Sequence, residues 1–188
     1  MPRNIGFNTN EALEKACQTF WQYGYSRTSM RMLTKSTKLN PGSLYNHFGS
    51  KQDIFLAVCD HYYRTLTTDI NLNLAGDHLA HDLLESFFLT ITQEQHGRGC
   101  LLVNTLMECA SEPDIQAHIA AMFSGFEEMF YWIIVKGQKQ GTIRPGLQAR
   151  PEAKALVNVY YGLRVQSLTE ISQAELQTLI SHHLNRLS

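Results

Sequence analysis

The chain has 188 residues, 44% hydrophobic and 18% charged, which is enough apolar material for a sizeable buried core and unlike a disordered tail. No amino-terminal apolar stretch leads to a cleavage site, and the longest uninterrupted apolar run, Met129 to Val135, is far too short for a bilayer span, so the cytoplasm is the expected location and no membrane partner is expected. The net charge of −1 is unevenly spread: residues 1–52 hold seven cationic side chains against two carboxylates, a net +5 that leaves −6 for the remainder, so only the amino-terminal part suits a polyanion.

In chain order, Asn8 or Thr9 precedes Leu13, Ala16, Cys17 and Phe20, a helical stripe that predicts a first helix over Thr9 to Tyr23, with Gly24 ending it. Thr28 or Ser29 caps a short second helix with Met30, Leu33 and Thr34 on one face. Lys38 to Asn40 interrupt that pattern. Pro41 then suits the first turn of a third short helix, with Asn40 as its cap. Two short helices joined by a tight turn make a helix-turn-helix; a plain helical hairpin with a solvated face is the alternative. Leu44 and Phe48, four apart, face inward and turn Gly42, Ser43, Tyr45, Asn46 and His47 outward, where small residues admit a groove wall and polar or aromatic ones reach phosphates and base edges. Ser50 and Lys51 open a fourth helix, to about Leu72, whose first amides and lysine are candidates to hold a phosphate.

The run Ser43-Leu44-Tyr45-Asn46-His47-Phe48-Gly49-Ser50-Lys51, with Gly24-Tyr25 and Thr28-Ser29-Met30-Arg31 before it, resembles the amino-terminal domain of the TetR family of transcriptional regulators over roughly residues 8–62. The resemblance implies an all-α protein: a three-helix DNA-binding domain, residues 1–52, joined by the fourth helix, about 50–72, to an α-helical ligand-binding and dimerising domain over 73–188. It implies a repressor that binds double-stranded operator DNA and is released by a small molecule. The DNA-binding set is then Arg27, Thr28, Ser29, Arg31, Asn40, Pro41, Gly42, Ser43, Tyr45, Asn46, His47 and Lys51. Two positions depart from the family. Lys38 stands where a glycine is usual in the turn, so a left-handed backbone there costs ~1 kcal/mol and the turn is expected to differ slightly. Pro41 stands where a lysine is often found, which removes one phosphate contact.

The polar stretch Asn71 to Asp77 marks the expected boundary. Beyond it the pattern predicts a helix over His78 to Glu94, a break at His96-Gly97-Arg98-Gly99, and a helix from Cys100 to about Ser111-Glu112-Pro113. A long apolar helix follows from Asp114, its end marked by Gly137 and Gly141. Further helices run over Glu152 to Leu168 and from about Gln173. The last two carry stripes of Leu156, Val159, Tyr160 and Leu163 and of Leu176, Leu179, Ile180 and Leu184. The family resemblance implies a homodimer seam there, and the alternative is that they close the chain's own core.

Phe87, Met107, Met122, Phe126, Trp132 and Tyr160, with Asn104, His118 and Arg164 as polar anchors, are candidates for lining an inducer pocket. Cys100, placed at a helix start beside Arg98, is a candidate sensor thiol for an electrophile, and equally a small apolar residue packing a helix start. Cys109 is nine residues on, ~13 Å along a helix, too far to pair with it. His78 and His81, and His182 and His183, have no ligand spacing that selects a metal, and no nucleophile elbow or phosphate-binding loop occurs, so neither metal, cofactor nor catalysis is expected. A ligand-binding or catalytic helical protein without a regulatory DNA site is the other functional class.

Overall fold

Nine α-helices and no strand form among the described residues, which are 7–93 and 98–188 of the computed structural model. Arg3, the expected helix end at Glu94 and the expected break at His96-Gly97 lie outside them. The helices are α1 (Thr9–Arg27), α2 (Met30–Thr37), α3 (Pro41–Phe48), α4 (Lys51–Leu74), α5 (Ala80–Gln93), α6 (Leu101–Glu108), α7 (Pro113–Gln140), α8 (Ala149–Gln166) and α9 (Gln173–Asn185). None is long and apolar enough to cross a membrane.

Local chemistry sets most of the helix starts. Asn8 accepts from the Asn10 and Glu11 amides, Ser29 from Met32 and Asn40 from Ser43, and Ser172 makes a reciprocal capping box with Glu175. The helical prolines stand in first turns, where no helical donor is lost: Pro41 and Pro113 open α3 and α7. α8 starts at Ala149, not Glu152, because Pro151 is tolerated in that turn for the same reason. α7 runs through Gly137, the first of the two glycines expected to mark its end, and stops at Gln140, just before the second. Gly137 is there for packing: a Cβ on it would come within 2.6 Å of Ile143 and 2.9 Å of Ala80.

The helices pack into two compact units. The first takes Met1–Arg64 with Asn104–Ile119. Its core buries Leu13, Ala16, Cys17 and Phe20 of α1 with Leu33, Leu44, Ile54, Phe55, Val58 and Cys59. The Phe55 ring lies 4.8 Å from both Phe20 and Tyr25. His61 meets Glu14 at 3.4 Å and His118 meets Asp60 at 3.0 Å. Each fully buried phenylalanine contributes ~1.5–3 kcal/mol through apolar area removed from water.

The second unit takes Thr65–Val103 and Ala120–Ser188. Its centre is an aromatic cluster in which the Phe87 ring lies 5.1 Å from Phe130 and 5.8 Å from Tyr160, and Phe126 lies 5.1 Å from Tyr160. Gln140 accepts from the Ala80 amide and donates to the His78 carbonyl, capping the start of α5 from α7. Lys136 donates to the Leu74 and Gly76 carbonyls at the end of α4, where orphan acceptors and the helix dipole favour a cation.

The turn between α2 and α3 keeps the left-handed conformation despite its lysine: Lys38 has φ 60° and ψ 21°. The expected change of turn geometry is absent, and the strain is carried by the side chain's Cβ instead. Lys38→Gly is therefore expected to stabilise the fold by up to ~1 kcal/mol, since relief of ~1–2 kcal/mol of left-handed strain exceeds the glycine's extra unfolded-state entropy. Chemical denaturation would show a higher midpoint at unchanged slope, and a fall in stability would contradict the strain.

Candidate nucleic-acid interface

The approach to α2 is built by the unit's own hydrogen bonds. Gly24, with φ 77° and ψ 170°, breaks α1 internally. Thr28 Oγ1 donates to the Gly24 carbonyl at 2.6 Å and Thr28 is buried, so its side chain is structural and not one of the DNA-facing groups expected from sequence. Ser29 is exposed and caps α2, and Arg27 and Arg31 are exposed on either side of it. The Arg27 Nε–H donates to the Tyr23 carbonyl at 2.9 Å, which anchors the base of its guanidinium.

Within α3 only Leu44 is fully buried. Gly42, Tyr45 and Asn46 are exposed, Tyr45 to 50%, and Pro41 opens the helix beside them. Asn40 spends its side-chain oxygen on the Ser43 amide at 2.8 Å, and so positions α3 in addition to lying at its edge. His47 is half-buried. Its ring lies 5.2 Å from Phe7 and 4.4 Å from Phe48, and Nε2 is 3.4 Å from Thr9 Oγ1, so it packs toward the start of α1 more than toward a groove.

The start of α4 differs from the expected phosphate cradle. The Ser50 amide and hydroxyl both donate to Asp53 Oδ2 at 2.7 Å, and the Asp53 amide donates back to Ser50 Oγ, a closed cap that occupies these three donors. Those bonds hold the Asp53 carboxyl below its ordinary range. Lys51 donates to the Tyr25 carbonyl at 2.9 Å and to the Thr28 carbonyl at 3.0 Å, with Nζ 4.4 Å above the Tyr25 ring. Two of its three N–H groups are thereby committed to the backbone before α2, so its first task is to hold that segment.

The candidate pocket residues are divided between the two units. Phe87, Met122, Phe126, Tyr160 and Arg164 are buried in the second unit. Asn104, Met107 and His118 belong to the first unit, where His118 is taken up by Asp60 and Met107 is 81% exposed. Trp132 is half-exposed and lines a surface cleft of about 460 Å³ with Asn71, Leu74 and Lys139. Met107, His118 and Trp132 are thus not parts of an enclosed pocket. Their helical spacing carried no information on which side faces water.

Cys100 immediately precedes α6, at the expected helix start, and is buried there. Its Sγ is 3.0 Å from the Tyr160 hydroxyl, and Arg164, one turn further along α8, donates to the Gly99 carbonyl. One face of α8 therefore fixes the residues that lead into α6. All four cysteines are buried thiols. Burial, reinforced by Glu108 and Glu112, pushes the Cys109 thiol up to about 11.

Six of the eight expected seam residues, Leu156, Tyr160, Leu163, Leu176, Ile180 and Leu184, are buried within the chain's own unit. Val159 and Leu179 are half-exposed and, together with Leu163, line a groove of about 460 Å³ with Ala155, Asn158, Gly162, Gln166 and His183. Burial, His182 and Arg186 push the His183 imidazole down, favouring its neutral form beside this groove.

Residues 12–58 match the model of bacterial regulatory proteins, tetR family, and residues 80–182 match the tetracyclin repressor-like carboxyl-terminal domain. The chain is 26% identical over 171 residues to the HTH-type transcriptional repressor DhaR of Mycobacterium sp. (strain GP1), covering 90% of this chain and 86% of that protein. A cysteine mutant of the TetR family regulator CifR complexed with 26-base-pair operator DNA superposes with a TM-score of 0.83 at 23% identity over all of both chains. The reduced form of Escherichia coli NemR superposes with a TM-score of 0.80 at 20% identity, covering 93% of this chain and 94% of that one.

Proposed function

The chain belongs to the tetR family of bacterial regulatory proteins, and from that membership we propose that it is a repressor, binding its operator as a homodimer and released by a small molecule or by thiol modification. It is a sequence-specific DNA-binding transcriptional regulator. The exposed face of α3 carries the reading: Gly42 admits a groove wall, Tyr45 and Asn46 reach base edges, and Pro41 and Ser43 sit at the edge of the contact. Arg27, Ser29 and Arg31 supply phosphate contacts. The alternative of an enzyme or a simple binding protein is disfavoured by the repressor and regulator names of its relatives. Enrichment of a single duplex motif from a randomised pool tests the reading. Recovery of no motif would remove it.

The homodimer is proposed to close across the groove of α8 and α9. Half-sites lie one helical turn apart, ~34 Å, so a second copy is needed to fill both. The groove supports this with small and apolar side chains, Ala155, Val159, Gly162 and Leu179, and a His183 ring kept neutral.

For release, the thiol reading is supported by Cys100 lying against Tyr160 at the entrance to α6, and by the cysteine-mutant and reduced forms among the structures it resembles. Methyl methanethiosulfonate, small and uncharged, is expected to convert Cys100 to a mixed disulfide, expelling methanesulfinate, before it touches Cys109. Burial and the neighbouring Glu108 and Glu112 disfavour the Cys109 thiolate, the reactive form. An adduct at a close-packed position forces its neighbours aside, so operator affinity should fall at least tenfold on labelling. Cys100→Ser should bind the operator and resist the reagent. Faster labelling elsewhere, or release of the serine variant, would leave a noncovalent inducer among Phe87, Phe126 and Tyr160 as the reading.

A further inference from the structure

α1 leaves helical geometry at Gly24 and resumes it through Arg27. A restarted helix presents new orphan donors, because its first N–H groups have no carbonyl a turn behind them. One carboxylate takes two of them here: the Tyr25 amide donates to Glu108 Oε2 at 2.9 Å and the Ser26 amide to Oε1 at 2.8 Å. Glu108 ends α6 and lies outside the 12–58 match to the DNA-binding domain. The approach is close enough that a Cβ on Gly24 would come within 2.6 Å of Oε2. A carboxylate bridging two amides at a helix start combines charge-assisted hydrogen bonds with a favourable dipole.

The same short segment is held from its carbonyl side. Lys51 takes the Tyr25 and Thr28 carbonyls and Thr28 takes that of Gly24. An anion thus grips the donors, and a cation grips the acceptors, of five residues that run directly into Ser29, the cap of α2. Arg27, Ser29 and Arg31, the proposed phosphate contacts, take their placement from that course.

We propose that Glu108 is a positioning residue for operator binding: by fixing the Tyr25 and Ser26 amides it sets the entry to α2 and aligns Arg27, Ser29 and Arg31 with the phosphates. This rests on the operator-binding reading above. It adds to the DNA-binding apparatus a residue more than 80 positions away in sequence that touches no DNA.

The test uses the full-length protein and the duplex that it enriches from a randomised pool, with Glu108→Ala and the isosteric Glu108→Gln. In the glutamine variant one oxygen still accepts, while the amide NH₂ faces a backbone donor. Operator affinity by fluorescence anisotropy should fall about tenfold in Glu108→Ala and less in Glu108→Gln, as expected for losing hydrogen bonds to a charged group. The slope of log affinity against log salt should shrink by about one unit as a phosphate contact is misplaced. In both variants the ¹H–¹⁵N resonances of Tyr25 and Ser26 should move and their amides exchange faster. A merely structural cap would lower the melting temperature and leave the affinity and salt slope of the folded protein unchanged. That outcome, or unmoved Tyr25 and Ser26 amides in Glu108→Gln, overturns the proposal. Failure of the unsubstituted protein to enrich any duplex would overturn the regulator reading itself, and is told apart from a Glu108 failure, in which parent and variants bind equally.

Discussion

Gly162→Glu is expected to yield monomers and to weaken operator binding by about a thousandfold, the loss that follows when two half-site contacts cease to be intramolecular. Gly162 is exposed on α8, and a Cβ added there meets no atom within 4 Å in the single chain. The substitution therefore improves the isolated helix, by up to ~1 kcal/mol from propensity alone. A second copy seated on the groove would meet the new carboxylate, and twofold symmetry would bring two like charges together in the proposed seam. Stability of the monomer and stability of the assembly thus move in opposite directions, which separates a seam effect from misfolding. Sedimentation should show a monomer with an intact helical spectrum, and anisotropy should show the loss of affinity. A Gly162→Glu protein that still sediments as a dimer would place the twofold contact elsewhere.

Tyr45→Ala is expected to weaken operator binding by about a hundredfold while leaving the melting temperature within a degree or two. Tyr45 is half-exposed on the outer face of α3 and has no buried role, so its removal belongs with ordinary surface changes of about ±0.5 kcal/mol in stability. A side chain reading base edges is worth ~1–3 kcal/mol per contact, and the proposed homodimer would lose it in both half-sites at once. For the proposed contact to bases, the loss should fall on the selected duplex and spare binding to random DNA, and the salt slope should hold. Equal weakening on both duplexes would make Tyr45 a backbone contact. Unchanged affinity on both would remove α3 as the reading helix.

The sequence by itself determined what is local. The cap at Asn40, the proline that opens α3, the inward Leu44 and the outward Tyr45 and Asn46 all follow from side-chain chemistry within one turn, and the structure has them there, whereas Phe48, expected to face inward with Leu44, is only half-buried. Periodicity likewise located the body helices, erring where a proline or glycine has two meanings: Pro151 lies inside the first turn of α8, and Gly137 lies within α7 because Ile143 and Ala80 press on it. What periodicity lacks is any record of which neighbour covers a stripe. Leu156, Leu176 and Leu184 looked the same as Val159 and Leu179 in sequence, yet the first three close the chain's own core and the other two line the groove. Met107 and Cys100 differ for the same reason, one being solvated and the other packed against Tyr160. Tertiary structure alone decided the pairings that join distant positions: Lys51 with the Tyr25 and Thr28 carbonyls, and Glu108 with the Tyr25 and Ser26 amides. A backbone amide or carbonyl carries no residue identity, so a side chain that seeks one from dozens of positions away leaves no mark in the sequence at the place where it binds.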